Sequence, residues 1–172
     1  MPSPSPYRTL PVEQRLVLVT HDIASNADSR NGYISRVVAR GGGFRPSKLR
    51  QWPPEQLARE VVRHNLETPH DELGLMILLY VELEPAIQIA FLDAAGVAHE
   101  SGSMPADLQP PFADAATIAR AAERVVAEFG ADAHRYLRTI ALYNGEGWPG
   151  LGEIVAGWGD PANHERSLEE RR

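Results

Sequence analysis

The 172-residue chain contains no cysteine. This absence excludes thiol nucleophiles, thiolate zinc sites, iron–sulfur clusters, disulfides and CxxC redox chemistry. A single domain of this length buries roughly 70% of the surface of its unfolded chain, so its core requires neither a disulfide nor a metal ion. We therefore expect oxygen or imidazole chemistry, or no catalytic chemistry, and we expect no cofactor.

Long apolar runs are also missing. The longest, residues 73–83, contains Glu82 and is followed by Glu84 and Pro85, so it is shorter than the roughly 20 residues that a membrane-spanning helix needs. The opening residues MPSPSP have neither the basic start nor the apolar stretch of a secretory signal. These features predict no membrane partner and a cytoplasmic location.

The rest of the sequence predicts an all-α protein. Apolar residues recur every three or four positions through much of the chain, which is typical of helices that bury one face. Residues 73–92 are apolar on nearly every side, so we expect them at the centre of a bundle of about six helices. One alternative stays open, because residues 15–20 also have a strand-like pattern and would change the class to α/β.

Several local signals mark where these helices begin and end. The pair Asn31-Gly32 predicts a turn. Thr68, followed three residues later by Asp71, predicts a capped start of the central helix. Gly130 either lies within one long helix or separates two helices.

The domain organisation follows from these patterns. We expect one helical domain over residues 10–160, between a Pro/Ser-rich tail at 1–9 and a charged tail at 161–172. Within the domain, residues 10–66 are a candidate basic subdomain and residues 67–160 are the helical core. No internal repeat divides the chain further.

Acidic residues are absent from one stretch, although they predominate elsewhere. The formal net charge is −6, yet residues 29–51 hold six basic residues and no acidic one. Clustered Arg and Lys attract anions, so segment 30–50 is a candidate surface for an acidic partner or a nucleic acid. The candidate binding residues are Arg36, Arg40, Arg45, Lys48 and Arg50. Pairing with the chain's own acidic helices is the alternative explanation.

Part of this segment is similar to the helix-turn-helix of bacterial DNA-binding proteins. The positions that carry the resemblance are Ala39, Gly43, Phe44, Leu49 and Trp52, within residues 37–52. The small residue and the glycine allow two helices to cross closely. In that family the second helix enters the major groove. By position, the residues that the resemblance places toward the bases are Arg45, Ser47, Lys48 and Arg50.

A second resemblance involves histidine and aspartate. The dipeptide His21-Asp22 looks like the dyad of helical HD-domain phosphohydrolases, which bind a metal through an early His, a His-Asp dyad and a later Asp. The order of ligands in that family is matched by His21, His70-Asp71 and Asp132. The resemblance implies a divalent transition metal at these residues. A helix cap explains Asp71 without a metal.

Two tryptophans, Trp148 and Trp158, are further candidate contact residues, since tryptophan is enriched at interface hot spots. Together with the basic segment they favour a non-enzymatic helical binding or assembly protein, whose partner is another protein or a second copy of this chain. A helix-turn-helix regulator with a dimerisation or ligand region is the alternative hypothesis, and an HD-like metal phosphohydrolase is the third. The sequence contains neither GxSxG nor HExxH, so no residue is assigned a catalytic role.

Overall fold

The structure is a computed structural model that describes residues 5–158. Within that range the chain forms nine α-helices, two short 3-10 helices and one π-helical turn, with no β-strand. The all-α class is confirmed, and residues 15–20 lie inside the first helix. The expected charged tail at 161–172 lies outside the described residues.

The chain divides into two compact units. Among the described residues, the N-terminal unit is Tyr7–Leu75, and the C-terminal unit combines residues 76–158 with residues 5–6. The boundary falls within the fifth helix, Pro69–Leu78, which is labelled α5 below.

The N-terminal unit is built on three helices that contact one another. They are α1 (Val12–Ser25), α2 (Ala27–Ala39) and α4 (Pro54–Arg63), and a one-turn helix, α3 (Pro46–Leu49), lies between the last two in sequence. On α4 the buried residues Leu57, Ala58, Val61 and Val62 repeat at helical spacing. Burial of this apolar stripe against α1 stabilises the unit.

The predicted turn at Asn31-Gly32 is wrong, because α2 runs straight through it. Asn26 begins this helix, and its side-chain oxygen accepts hydrogen bonds from the amides of Asp28 and Ser29. A glycine inside a helix costs roughly 1 kcal/mol. Burial of the face that contains Tyr33 outweighs that cost.

The N-terminal segment is attached to its unit by polar side chains. Residues Pro6–Thr9, expected to belong to a tail, form a 3-10 helix. The hydroxyl of buried Tyr7 donates to Glu67 Oε1 at 2.6 Å, and Arg8 Nη1 donates to the Asn65 side chain at 2.6 Å.

The C-terminal unit contains four further helices. They are α6 (Ala86–Ala95), α7 (Ala115–Phe129), α8 (Ala131–Tyr143) and α9 (Leu151–Gly157). Helix α6 packs against α7 and α8, and α9 contacts the same two helices. Gly130 has a φ of 56° and separates α7 from α8, which decides between the two alternatives left by the sequence. Asp114 caps α7 by accepting from the Thr117 amide at 2.9 Å.

Between residues 5 and 158, no single helix is long and apolar enough to cross a membrane. Residues Pro69–Leu83 and Ala86–Ala95 reach the required length and composition only as a pair, and this pair is bent by 83°.

Candidate functional site

Five aromatic rings form a continuous series of edge-to-face contacts in the C-terminal unit. The ring centroids of Tyr80 and Tyr136 are 5.2 Å apart, and those of Tyr136 and Phe91 are 5.7 Å apart. Trp148 then contacts Phe91 at 5.0 Å and Phe112 at 5.1 Å. Each such pair contributes about 0.5–1.5 kcal/mol beyond its burial, so the series fixes the position of every ring in it.

A cavity of about 110 Å³ lies beside these rings and is lined by three of them, Tyr80, Tyr136 and Trp148. Its other walls include Met76 from α5 and Leu92 from α6. None of the thirteen described lining residues is charged. The cavity therefore suits an apolar group and disfavours an ionic one.

The cavity reaches the protein surface through exposed apolar side chains. Val81 and Tyr143 line it, yet they are 38% and 62% exposed. Leu83 and Leu142 lie within two positions of these residues in the sequence and are exposed as well, although they do not line the cavity. We call these four residues the apolar rim. Exposed apolar surface next to a pocket is typical of interaction sites.

Two hydroxyl groups of the wall donate hydrogen bonds within the protein. The Tyr80 hydroxyl donates to the Asp132 carbonyl at 3.2 Å, and Thr139 Oγ1 donates to the Arg135 carbonyl at 2.8 Å. Burial raises the pKa of the Tyr80 and Tyr136 phenols well above their usual value. Both rings are therefore neutral at physiological pH and do not act as bases there.

Part of the wall comes from a π-helical turn, Leu79–Leu83, which follows α5. Its five-residue hydrogen bond joins the Glu84 amide to the Leu79 carbonyl at 2.7 Å. A π-turn changes the direction in which the following side chains project from the helix. Such turns occur frequently at functional sites. Here the turn contains Tyr80, Val81 and Leu83, so it supplies one inner residue and two residues of the apolar rim.

Met104 also lines the cavity, and it lies in a loop that is held by hydrogen bonds. His99 Nδ1 accepts from the Gly102 amide at 3.2 Å, and His99 Nε2 lies 3.0 Å from Asp93 Oδ1. This arrangement requires the ring proton on Nε2, where it is donated to Asp93. Gln88 also holds the loop, because its amide donates to the Gly102 carbonyl at 2.6 Å.

The basic segment of the N-terminal unit divides into two groups. The first group makes internal contacts: Arg36 pairs with Asp71 at 2.8 Å, and Arg40 pairs with Glu60 at 2.9 Å. Arg30 also belongs to it, because its guanidinium donates to the backbone carbonyls that follow α3. For Arg36 and Arg40, pairing with the chain's own acidic residues describes the structure.

The second group is Arg45, Lys48 and Arg50. All three residues are exposed. Among the residues that the structure describes, none of these side chains forms an ion pair within 4.0 Å. They are therefore available to a partner.

The region that resembles a helix-turn-helix contains a very short second helix. Helix α3 has four residues and so spans only about 6 Å. Leu49 is buried beneath it, and the rings of Phe44 and Trp52 meet edge-to-face at 5.0 Å. Arg45, Ser47 and Lys48 are exposed.

The four residues suggested as metal ligands do not form a metal centre. Within residues 5–158 no group of three or more His, Asp or Glu is placed to hold a metal ion. The Asp71 carboxylate instead accepts from Thr68 at the expected helix start and from Arg36. Asp132 pairs with Arg135, while His70 is exposed and His21 lies on α1.

The two tryptophans occupy different surroundings. Trp148 is only 3% exposed, so it is a wall of the cavity rather than a surface contact. Trp158 is half-buried and lies edge-on to His134, with ring centroids 4.6 Å apart. Tyr136 and Tyr143 are further wall residues that no motif in the sequence marks. Their spacing indicates a shared helix face, but only the tertiary fold shows that this face borders a cavity.

Comparison of the chain with protein-family models, with curated proteins and with solved structures finds no match.

Proposed function

We propose that this chain is a non-enzymatic binding protein that holds an apolar side chain of a protein partner in the cavity of its C-terminal unit. The observation that carries the proposal is an uncharged cavity with aromatic walls that opens between exposed Val81 and Tyr143. Aromatic anchors next to exposed apolar surface are typical of the centre of a protein interface.

The size of the cavity supports a side chain as its occupant. Sites for small molecules and cofactors usually measure about 300–1,000 Å³, whereas this cavity measures about 110 Å³. That volume is closer to an engineered cavity of about 150 Å³ that binds benzene. A single aromatic ring or a branched aliphatic group matches this scale.

The apolar rim supports a partner larger than that one group. Leu142 is 67% exposed, and Leu83 is 37% exposed. Covering these side chains removes apolar surface from water, which favours association by roughly 25 cal/mol per Å². A partner segment that inserts one residue into the cavity therefore gains further from contacts with the rim.

The first experiment measures thermal stability with a simple apolar probe. A ligand that binds only the folded protein raises Tm, so benzene is expected to raise Tm and sodium benzoate, its charged analogue, is not. Val81→Phe places a larger side chain at the mouth of the cavity and is expected to abolish the benzene effect. Val17→Phe, at an exposed valine on α1, is the matched control and is expected to retain it. A wild-type Tm unaffected by benzene would contradict the proposal.

A second experiment identifies the natural occupant. The photo-crosslinking residue p-benzoylphenylalanine replaces Tyr143, and the adducts formed in cells are sequenced by mass spectrometry. The proposal expects a peptide joined at or beside an apolar residue, and it expects Leu142→Glu to remove the adduct. The identity of the peptide distinguishes another protein from a second copy of this chain. A lipid adduct would contradict the proposal.

A further inference from the structure

The N-terminal unit has exposed cations around α3, and none of them lines the cavity. We use the name basic turn for residues 41–50, which include Arg45, Lys48 and Arg50. The nearby Arg36 and Arg40 are paired with carboxylates, but these three cations have no such partner within the described residues. Their positive charge is therefore not neutralised locally.

Hydrogen bonds and apolar packing hold the backbone of the basic turn in place. The guanidinium of Arg30 donates to the carbonyl of Arg50 at 3.1 Å and to the carbonyl of Trp52 at 2.6 Å. Leu49 is fully buried, and Phe44 packs edge-on against Trp52. A cation cluster on a fixed backbone loses less conformational entropy on binding than one on a flexible tail.

The glycine-rich start of the basic turn adds backbone donors. Gly41 and Gly43 have positive φ angles of 86° and 71°, which residues other than glycine rarely adopt. Between residues 5 and 158, no backbone carbonyl accepts from the amides of Gly42, Gly43 or Phe44. Beyond the adjoining residues, no atom lies within 4 Å of the position that a Cβ would occupy on Gly41 or Gly43, whereas a Cβ on Gly42 would lie 3.2 Å from the Phe44 ring.

The chemistry of this surface favours a phosphate backbone over an acidic protein. Protein interfaces have an apolar centre, but none of the exposed large apolar side chains lies in the basic turn. Interfaces with nucleic acids are polar and strongly positive. Arginine is well suited to phosphate, because its planar fork donates two parallel hydrogen bonds.

We propose that the basic turn binds the phosphate backbone of nucleic acid without reading its sequence. The one-turn helix α3 is about 6 Å long, whereas base pairs along one strand are about 3.4 Å apart. Such a short element spans roughly two base pairs, so Lys48 within it and Arg45 and Arg50 at its two ends are suited to contacts with neighbouring phosphates. This surface is distinct from the helix-turn-helix arrangement, in which a longer second helix reads bases.

The number of phosphate contacts predicts how steeply the affinity for DNA falls with salt concentration. Neutralising three phosphates with three cations gives a slope of log K against log salt of about −2.7 on duplex DNA. Raising the salt concentration from 50 to 200 mM is then expected to weaken binding by about 40-fold. The formal net charge of −6 opposes approach to DNA, so the measurement starts at low salt.

The test uses the full chain and a fluorescent duplex of 20 base pairs with random sequence, followed by anisotropy at both salt concentrations. The triple variant Arg45→Gln, Lys48→Gln, Arg50→Gln is expected to lose at least tenfold in affinity and most of the salt slope. The matched control, Arg59→Gln, Arg63→Gln, Arg124→Gln, removes the same charge from exposed positions on α4 and α7. It is expected to bind within about twofold of wild type.

Other outcomes overturn the proposal. They are absence of wild-type binding at 50 mM salt, equal losses in the two triple variants, and equal or tighter binding of a poly-glutamate peptide or of phosphatidylserine vesicles. Far-ultraviolet circular dichroism and Tm confirm that each variant is folded. Because these substitutions are exposed and lie outside the cavity, they leave the benzene response unchanged, which separates this proposal from the proposed function.

Discussion

The ring of Tyr136 lies edge-on to the ring of Tyr80, with centroids 5.2 Å apart and planes inclined by 76°. The two residues are more than fifty positions apart in the sequence, yet both line the same cavity. Tyr80 belongs to the π-turn, whereas Tyr136 belongs to α8. Their contact joins these two elements at the candidate site.

The buried tyrosines predict how stability depends on pH. Burial is the main cause that raises the pKa of Tyr7, Tyr33, Tyr80 and Tyr136 above the ordinary value of 10.0. The unfolded chain therefore loses these protons near pH 10 while the folded chain keeps them. Below pH 10 their contribution to stability is fully present, and above it stability is expected to fall by about 1.4 kcal/mol per pH unit for each tyrosine.

Denaturant titrations at several pH values, followed by tyrosinate absorbance, measure this effect. Ionisation of the buried phenols is expected to coincide with unfolding. Ionisation of all the tyrosines near pH 10 in a chain that stays folded would contradict the burial described above.

The contact between Gly147 and Phe112 predicts the effect of adding one methyl group. A Cβ on Gly147 would lie only 2.7 Å from Phe112 Cδ2, with a still closer approach to the rest of that ring edge. Gly147→Ala therefore displaces the Phe112 ring from Trp148 and is expected to destabilise the protein by about 1–3 kcal/mol. Chemical denaturation measures the change.

Gly152→Ala is the matched control for that substitution. This glycine lies in α9, and no atom stands within 4 Å of its would-be Cβ. Alanine is preferred over glycine in a helix by up to about 1 kcal/mol, so the control is expected to be neutral or stabilising. Equal destabilisation by both substitutions would show that the lack of space around Gly147 is not the cause of the lower stability.

The hydroxyl of Tyr7 predicts a specific loss in the N-terminal unit. It donates to Glu67 Oε1 at 2.6 Å, and the Glu67 side chain is fully buried. Arg8 Nη1 lies 3.4 Å from the other carboxylate oxygen, so the carboxylate keeps an ionic partner when the hydroxyl is removed. Tyr7→Phe is expected to cost about 1–3 kcal/mol, because it leaves a buried acceptor without its donor.

Tyr143→Phe provides the comparison, since Tyr143 is exposed. Surface substitutions usually change stability by less than about 0.5 kcal/mol. If Tyr7→Phe lowers the free energy of unfolding no more than Tyr143→Phe does, the buried hydrogen bond does not contribute as described.

Local patterns in the sequence predict much of the fold. Helical periodicity indicates the all-α class, and the Thr68–Asp71 pair marks a helix start that the hydrogen bonds confirm. Asn31-Gly32 is misleading, because the turn preference of two residues is weaker than the burial of a whole helix face.

The candidate site depends on contacts between distant parts of the chain, which local patterns do not reveal. Its rings come from Tyr80 in the π-turn, Tyr136 in α8 and Trp148, which follows the 3-10 helix Gly145–Gly147. The same limit applies to charge. Arg36 finds its partner Asp71 35 residues away, so composition identifies a basic segment but not which of its cations remain exposed.

The most direct test of the binding proposal is the nuclear magnetic resonance spectrum of the three tryptophan indole N–H groups during a benzene titration. Trp148 lines the cavity, whereas Trp52 and Trp158 do not. We predict that the Trp148 resonance shifts saturably, with a dissociation constant on the order of 1 mM, that the other two stay fixed, and that Val81→Phe abolishes the shift. Equal shifts of all three resonances, or none for Trp148, would contradict the account.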